Sequence, residues 1–561
     1  MPAPRSDPLV RAEAELTAPG APFELEEADV LGERVRLFKR RARSLRELVV
    51  AAAGFGDAEH LVFVGAAAGG AARSVLSAAA PPDRRISFRQ LVRDVAAVAA
   101  GLRARGVGPG DRVAIVAANC PEWIVTFWAT VSLGAIAVGM NAWWAEAELA
   151  WALADAAPKL VVADQKRAAR VQADVVIGHD FNDFLNRADI AEGLPEAAIG
   201  EDDAAVLLYT SGTTGRPKGA LHSHRNLIAL LGCNLFHGAR MRMAYPPPPD
   251  GPGAPAPCVL VTSPLFHVSG LHNAAVVCLA AGLKSVWIQG RFQADHALAV
   301  MERERVTSWG YTQALLHRVV HHPDVTRRDL SALRQLGGGG SPIPPALQAR
   351  AREVLPGARA TLGVGYGQTE CSSLATLNPA DELSAHPESV GRPLPLCDIE
   401  IRDPEGRRLP DGEEGEVTLR GALVMLEYWR NPEATAQVIG PGRWLRSGDL
   451  GRMQDGRLTL SSRKRDLILR GGENVYPVEI EQRLELHPEV AEAAVIGVPH
   501  AELGQEVKAV IVPAAGRTPD PRALADWVAA ALAYFKVPAH WELRAAPLPR
   551  NAVGKVLKHE L

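Results

Sequence analysis

Apolar residues recur at helical spacing from Phe88 through Leu91, Val92, Val95, Val98 and Leu102, which predicts an amphipathic helix with one buried face. Ser87 supplies an N-cap, Gln90 completes a capping box, and Gly106-Val107-Gly108-Pro109-Gly110 stops the helix. The period then changes. Arg112-Val113-Ala114-Ile115-Val116-Ala117 is a short continuous apolar run, the pattern of a parallel strand covered on both faces. A helix-like segment from Trp123 precedes Gly134-Ala135-Ile136-Ala137-Val138, and residues 145–156 precede Leu160-Val161-Val162-Ala163. The same alternation continues through residues 204–208, 259–261, 285–288 and 335–336. Strands alternating with helices of this length predict an α/β fold built on parallel sheets.

Other stretches break the rhythm. Residues 1–40 are polar and weakly periodic, so a poorly ordered leader is expected there, and the Ala, Gly and Pro of residues 65–83 predict a loop. Tyr245-Pro246-Pro247-Pro248-Pro249-Asp250-Gly251-Pro252-Gly253 reads as an exposed polyproline-like insertion. The apolar residues 274–281 are too short to span a bilayer and predict a core helix. From about residue 390 short strand-like runs dominate, including Cys397-Asp398-Ile399-Glu400-Ile401 and Gly415-Glu416-Val417-Thr418-Leu419, which predicts a β-rich subdomain. Beyond Ser461-Ser462-Arg463-Lys464-Arg465-Asp466 a small α/β unit begins. The expected division is a leader at 1–40, a large domain of two α/β subdomains plus the β-subdomain at 41–464, and a small mobile α/β domain at 465–561.

Composition narrows the class of molecule only slightly. With 561 residues, 47% of them hydrophobic and 22% charged, the chain is ordinary globular material of more than one domain. A formal net charge of −3 gives no footprint for nucleic acid or an anionic membrane. Six dispersed cysteines without a Cys-x-x-Cys pair read as reduced thiols, and residues 1–22 lack the apolar core of a secretory signal, so a cytoplasmic protein is expected.

The chemistry concentrates in Tyr209-Thr210-Ser211-Gly212-Thr213-Thr214-Gly215-Arg216-Pro217-Lys218-Gly219, which follows a strand-like run. Four hydroxyls, three glycines with unscreened backbone N–H groups and two cations make a polyphosphate cradle. It is not the common P-loop, because Lys218 is followed by Gly219 where that motif needs Ser or Thr. A second glycine-rich turn, Gly363-Val364-Gly365-Tyr366-Gly367-Gln368-Thr369-Glu370, ends in a hydroxyl and a carboxylate. A carboxylate beside a phosphate loop suits Mg²⁺, which takes few protein oxygens. His317, His321 and His322 share helical spacing but have no carboxylate or Cys partner, and read as a surface patch.

Five motifs occur in a fixed order: residues 209–219, residues 365–370, Ser447-Gly448-Asp449-Leu450, Arg463 with Gly471-Gly472-Glu473-Asn474-Val475, and Pro549-Arg550-Asn551-Ala552-Val553-Gly554-Lys555. In that order the chain resembles the adenylate-forming enzymes, and within them the acyl-CoA synthetase branch, from about residue 40 to the C-terminus. The resemblance implies an ATP-dependent ligase that joins a carboxylic acid to coenzyme A through an acyl-adenylate, releasing pyrophosphate and then AMP. Thr210, Ser211, Gly212, Thr213, Thr214, Gly215 and Lys218 would hold the β- and γ-phosphates of ATP. Gly339, Gly340, Ser341, Tyr366 and Gly367 would flank the adenine, Thr369 would meet the α-phosphate and Glu370 would bind Mg²⁺. Asp449 and Arg463 would hold the ribose, and Lys555 would act as a fixed positive charge in adenylation. Arg465 would be the hinge of a rotating C-terminal domain, at a position where relatives usually have Lys or Asp, and Gly471 with Gly472 would line the thiol tunnel.

His267, in Pro264-Leu265-Phe266-His267-Val268, matches the aromatic gate between acid pocket and tunnel. Trp309-Gly310-Tyr311-Thr312-Gln313 matches a pocket wall where relatives often carry Gly-Val-Pro-Thr, so Tyr311 and Gln313 would reshape the pocket. A polar Gln there weakens a plain long-chain reading and leaves medium-chain, aryl and polycyclic acids open. The expected partners are the acid, ATP and coenzyme A, with no nucleic acid and no membrane segment, and a homodimer is left open. Two alternatives accompany this reading: transfer of the acyl group to a carrier protein, and a non-catalytic nucleotide-binding relative.

Overall fold

The computed structural model describes residues 8–65, 83–185, 193–210, 217–246, 255–339, 343, 345–355, 357, 361–463, 466–470, 473–500, 503–551 and 554–561. The 65–83 loop and the polyproline segment fall mainly outside these residues.

The predicted alternation folds into two sheets. In the first, the strand order is Glu427–Tyr428, Gly219–Ser223, Ala204–Tyr209, Ile136–Gly139, Arg112–Val116, Leu160–Asp164 and Val175–Ile177. Its five later members run parallel, and their apolar runs are buried because helices cover both faces. The second sheet holds the parallel strands Glu59–Val64, Lys284–Ile288, Cys258–Val261, Ser308–Tyr311, Gln335–Gly339 and Leu362–Tyr366. Strands of the β-rich region continue from its edge, since Thr376–Asn378 pairs with Ser389–Pro393 and the latter with Arg457–Arg463. The β-subdomain is thus an antiparallel extension of an α/β sheet.

Residues 8–40 correct the expectation of a loose leader. Helix Pro8–Thr17 buries Leu9, Ala12 and Leu16, and the hairpin of Leu25–Val30 with Glu33–Phe38 buries Leu37 and Phe38. Phe23 and Phe38 pack on Phe236 of helix His224–Ala244. So few apolar positions suffice because they lie on one face and meet a surface supplied by distant sequence.

Helix Phe88–Ala104 forms as expected, with one difference at its start. Ser87 Oγ accepts from the Gln90 N–H at 3.2 Å, but the Gln90 amide turns along the helix and donates to Asp94 at 2.6 Å. The reciprocal half of the predicted capping box is replaced by an i,i+4 pair. The core helix predicted at 274–281 is present, but begins as a π-helix at Leu271–Val276 before Val277–Ala280.

The C-terminal unit has its own core. Strands Ile468–Arg470, Glu473–Val475, Val490–His500, Gly504–Pro513 and His540–Leu543 pack against helices Pro477–Glu485 and Pro521–Ala529 through Ile480, Leu484, Val495, Ile511 and Leu524. Among the described residues no helix is long and apolar enough to cross a membrane.

Candidate active site

Ligands of open α/β sheets bind beyond the carboxyl ends of the strands. Here strands Ala204–Tyr209, Cys258–Val261, Ser308–Tyr311, Gln335–Gly339 and Leu362–Tyr366 deliver Thr210, His267, Thr312 and the turn 367–370 to the edge of one cleft. Its volume is about 3910 Å³, several times that of a pocket for one small ligand. Residues of the C-terminal unit, including Asn551, Gly554 and Lys555, line the same space.

The phosphate cradle is closed at its neck. The Thr210 N–H donates to the Lys218 carbonyl at 2.8 Å, continuing the antiparallel pairing of Tyr209 with Gly219. Ser211, Gly212, Thr213, Thr214 and Gly215 lie outside the described residues. Lys218 Nζ sits 5.1 Å from the centre of the Tyr428 ring, close enough for a cation–π contact. The hydroxyl of the same tyrosine donates to Glu370 Oε1 at 2.6 Å. Burial, and then the neighbouring Glu370, raise the Tyr428 phenol above its ordinary pKa, so it stays a proton donor. One side chain therefore links the cradle's lysine to the carboxylate of the second turn.

Tyr428 carried no motif in the sequence, where it is one aromatic residue in Leu426-Glu427-Tyr428-Trp429. It reaches the site because its short strand adds to the edge of the cradle hairpin, with Tyr428 opposite Ala220. That pairing is tertiary, and no local pattern announces it.

A second link joins Tyr366 to Asp449. The Tyr366 hydroxyl donates to Asp449 Oδ2 at 2.7 Å, with Tyr366 7% and Asp449 4% exposed. Burial, then the Asp449 charge, hold this phenol well above its usual pKa. The Asp449 N–H donates to Ser447 Oγ at 3.1 Å, and its backbone pairs with Arg463 across the hairpin. Gly367 is required by packing, because a Cβ there would stand 2.1 Å from the Ser373 carbonyl oxygen. Thr369 and Glu370 occupy the 3₁₀ turn Thr369–Cys371, and Gly339 faces Gly365 across neighbouring strands. Gly340, Ser341, Arg465, Gly471 and Gly472 lie outside the described residues.

His267 stands at the N-cap of the turn Val268–Gly270. Its Nδ1 accepts from the Ser269 N–H at 3.3 Å, which leaves the ring proton on Nε2. Burial pulls its pKa down to about 4, so the imidazole is neutral near pH 7. Tyr311 is 4% exposed, stacks at a tilt on Trp309 with centroids 5.4 Å apart, and closes over Gly338. Its hydroxyl is buried without a partner among the described residues. Gln313 opens helix Gln313–Val320 and lines the cleft.

Lys555 arrives on a tight turn. The Lys555 N–H donates to Asn551 Oδ1 at 2.9 Å, Arg550 pairs with Val556, and Arg550 is held by the Gly554 carbonyl and by Glu492. Gly554 adopts φ +86°, and a Cβ added to it would lie 3.3 Å from Thr312 Oγ1. The turn is thus seated on the wall between Tyr311 and Gln313. The rings of His317 and His321, at the end of helix Gln313–Val320, lie tilted with centres 4.3 Å apart, and among the described residues no His, Cys, Asp and Glu group forms a metal cluster.

This arrangement brings together the neck of the expected phosphate loop, a carboxylate held by a phenol, a second buried carboxylate and a lysine turn from the C-terminal unit. A family model described as AMP-binding enzyme matches residues 50–429, and one described as AMP-binding enzyme C-terminal domain matches residues 479–555. The chain belongs to the AMP-binding enzyme family and is an ATP-dependent, AMP-forming acid–thiol ligase of the acyl-CoA synthetase type. It is 36% identical to a feruloyl-CoA synthase of Amycolatopsis sp, across 85% of this chain and 93% of that protein. An indoleacetate–CoA ligase of Aromatoleum aromaticum is 33% identical across 86% and 93%. The crystal structure of ATP-bound MatB from Rhodopseudomonas palustris superposes with a TM-score of 0.77 at 31% identity, covering 92% of this chain and 98% of that one.

Proposed function

We propose that the enzyme activates an aryl or similarly bulky apolar carboxylic acid and passes it to coenzyme A, with the chemistry divided between Lys218, Glu370, Asp449, His267 and Lys555. The observation that carries this reading is the seat of the Lys555 turn on Thr312, which lets Lys555 line the cleft that also holds Glu370 and the cradle. Lys218 and the loop 210–218 bind the leaving pyrophosphate, Tyr366 and Gly367 border the adenine, and Asp449 with Arg463 orients the ribose. Thr369 contacts the α-phosphate. Lys555 neutralises charge as the carboxylate oxygen bonds to the α-phosphorus and the bond to pyrophosphate breaks.

Glu370 suits a hard cation, because its carboxylate is oriented by Tyr428 and lines the cleft beside the phosphate loop. Bound there, Mg²⁺ would offset the charge of the phosphates. Lys555 must leave before the thiol enters, so the unit 465–561 rotates about Arg465 and brings Gly471 and Gly472 to the thiol path. Neutral His267 gates the passage between acid pocket and thiol. The six cysteines are free thiols, as fits a reducing cytoplasm.

The aryl preference is supported by the relatives that act on ferulate and indoleacetate and by the compact wall of Tyr311 and Gln313. The test is AMP release from ATP over a panel of aryl and alkyl acids, with and without coenzyme A. Acyl-CoA formation with an aryl acid is expected. AMP release without acyl-CoA would instead favour a carrier-protein acceptor, as in the fatty acid–[acyl-carrier-protein] ligase of Streptomyces coeruleorubidus, 33% identical to this chain.

A further inference from the structure

Two neighbouring helices line the cleft near His267. Asn234, His237 and Met241 recur at three- and four-residue spacing on one face of helix His224–Ala244, and all line the space. The π-helix Leu271–Val276 and the helix Val277–Ala280 after it present Asn273 and Val277. A π-turn shifts the side-chain register, and such turns concentrate at functional sites. Polar side chains meet at one end of this shared wall.

At that end the polar side chains are tied together. The Asn234 amide donates to the Leu230 carbonyl at 3.0 Å and to Asn273 Oδ1 at 3.2 Å, and the Asn273 amide donates to Ser373 Oγ at 2.6 Å. Both Asn234 amide hydrogens are used, while its Oδ1 keeps acceptor capacity on the cleft. His237 Nδ1 is buried without a partner among the described residues. Ser373 is held at φ +119° and Ser372 at φ +60°, two adjacent non-glycine residues in the left-handed half of the map. Strain of this kind persists where surrounding structure needs a side chain in one place.

A partly buried carboxamide chain beside the unpartnered His237 Nδ1 costs desolvation unless a ligand satisfies what remains. The groups are neutral: burial takes the His237 pKa down to about 4. A neutral hydroxyl therefore matches them better than a second carboxylate.

Building on the ligase reading above, we propose that Asn234, Asn273, Ser373 and His237 form a subsite for a hydroxyl group on the acid substrate, so that the enzyme selects hydroxyaryl acids over their unsubstituted counterparts. The hydroxyl would donate to Asn234 Oδ1 or His237 Nδ1 and accept from the unused Asn273 N–H. A site built to hydrogen-bond a hydroxyl rejects the analogue that lacks it, because its own polar groups are then left unpaired.

The test is carboxylate-dependent exchange of pyrophosphate into ATP with the matched pair 4-hydroxycinnamate and cinnamate. In the wild type, kcat/KM is expected to favour the hydroxylated acid by about 10-fold or more, mostly through KM. Asn273→Leu, and separately Ser373→Ala, should shrink that ratio to below about 3. Equal kcat/KM for the two acids in the wild type, or a ratio that survives in both variants, overturns the subsite while leaving the ligase reading intact. Absence of exchange with every acid overturns the ligase reading itself, and the subsite falls with it. Should Asn273→Leu fail to fold, the wild-type ratio and the smaller Ser373→Ala change still decide.

Discussion

The Tyr428 hydroxyl donates to Glu370 Oε1 at 2.6 Å while Lys218 Nζ lies 5.1 Å from the same ring. An aromatic residue of no recognisable motif thereby touches both groups to which the proposed reaction assigns phosphate and cation binding. Tyr428→Phe keeps the ring under Lys218 and removes only the hydrogen bond that orients the carboxylate. The expected result is a loss of about 10-fold in kcat/KM for pyrophosphate exchange, in the range of one charged hydrogen bond. The dependence on Mg²⁺ concentration should move to higher values. An unchanged Mg²⁺ profile with unchanged exchange would mean that Glu370 is held without Tyr428.

The Tyr366–Asp449 pair makes a separable prediction. Both groups are nearly buried, so Tyr366→Phe leaves the Asp449 carboxylate with one donor fewer in a dry site. KM for ATP is expected to rise about 10-fold with little change in kcat, because ribose binding is the same before and during adenylation. Steady-state kinetics with ATP varied checks it; an equal fall in kcat and kcat/KM would assign the pair to transition-state alignment instead.

Much of this was legible in the sequence, for different reasons. Parallel strands such as Arg112–Val116 announce themselves because both faces are buried and the run is uniformly apolar. The cradle is visible from its residue types alone, and the turn 365–370 because its backbone demands glycine, as the clash a Cβ at Gly367 would make with Ser373 shows. What stayed hidden depends on meetings between distant segments. Helix Pro8–Thr17 buries three small or aliphatic residues from a charged stretch, Leu9, Ala12 and Leu16, and only the surface of helix His224–Ala244 makes them a core. Tyr428, Asn234 and Asn273 likewise acquire meaning from what stands opposite them.

Buried neutral histidines predict acid lability. His60, His224 and His272 are almost wholly inaccessible, and burial takes each pKa to about 4 from an ordinary 6.5. Below pH 6.5 the unfolded chain binds protons that the folded chain refuses, so stability falls as pH drops from 6.5 towards 4. Each histidine contributes a loss of about 2 kcal/mol between pH 6.5 and 5. Leu45 donates its N–H to His224 Nδ1 at 3.1 Å, an acceptor that Asn can imitate. Denaturant unfolding of His224→Asn should show a slope against pH smaller by about 1.4 kcal/mol per unit in this window. An unchanged slope would mean that His224 titrates normally in the folded state.

Glu485 predicts the opposite sign. It ends helix Pro477–Glu485, and burial, then the Glu481 charge, raise its pKa to about 8 from an ordinary 4.5, with the Glu492 carboxylate adding to the rise and Arg550 opposing it. The folded chain therefore holds a proton that the unfolded chain releases above pH 4.5. Stability is fully present below pH 4.5 and is lost as pH rises towards 8. Glutamine keeps the neutral shape and removes the titration. Glu485→Gln should match the wild type near pH 4.5 and gain stability with rising pH, reaching about 4 kcal/mol at pH 8.5. The thermal midpoint of the full-length protein, measured at several pH values, reads this out directly. The consequence extends to catalysis, because Glu492 also anchors Arg550, whose other contact is the Gly554 carbonyl beside Lys555. Ionisation of Glu485 at alkaline pH places another negative charge near that anchor and competes for Arg550. Glu485→Gln is therefore also expected to retain more of its pyrophosphate-exchange rate than the wild type between pH 8 and 9, and a parallel decline of the two enzymes would confine Glu485 to stability alone.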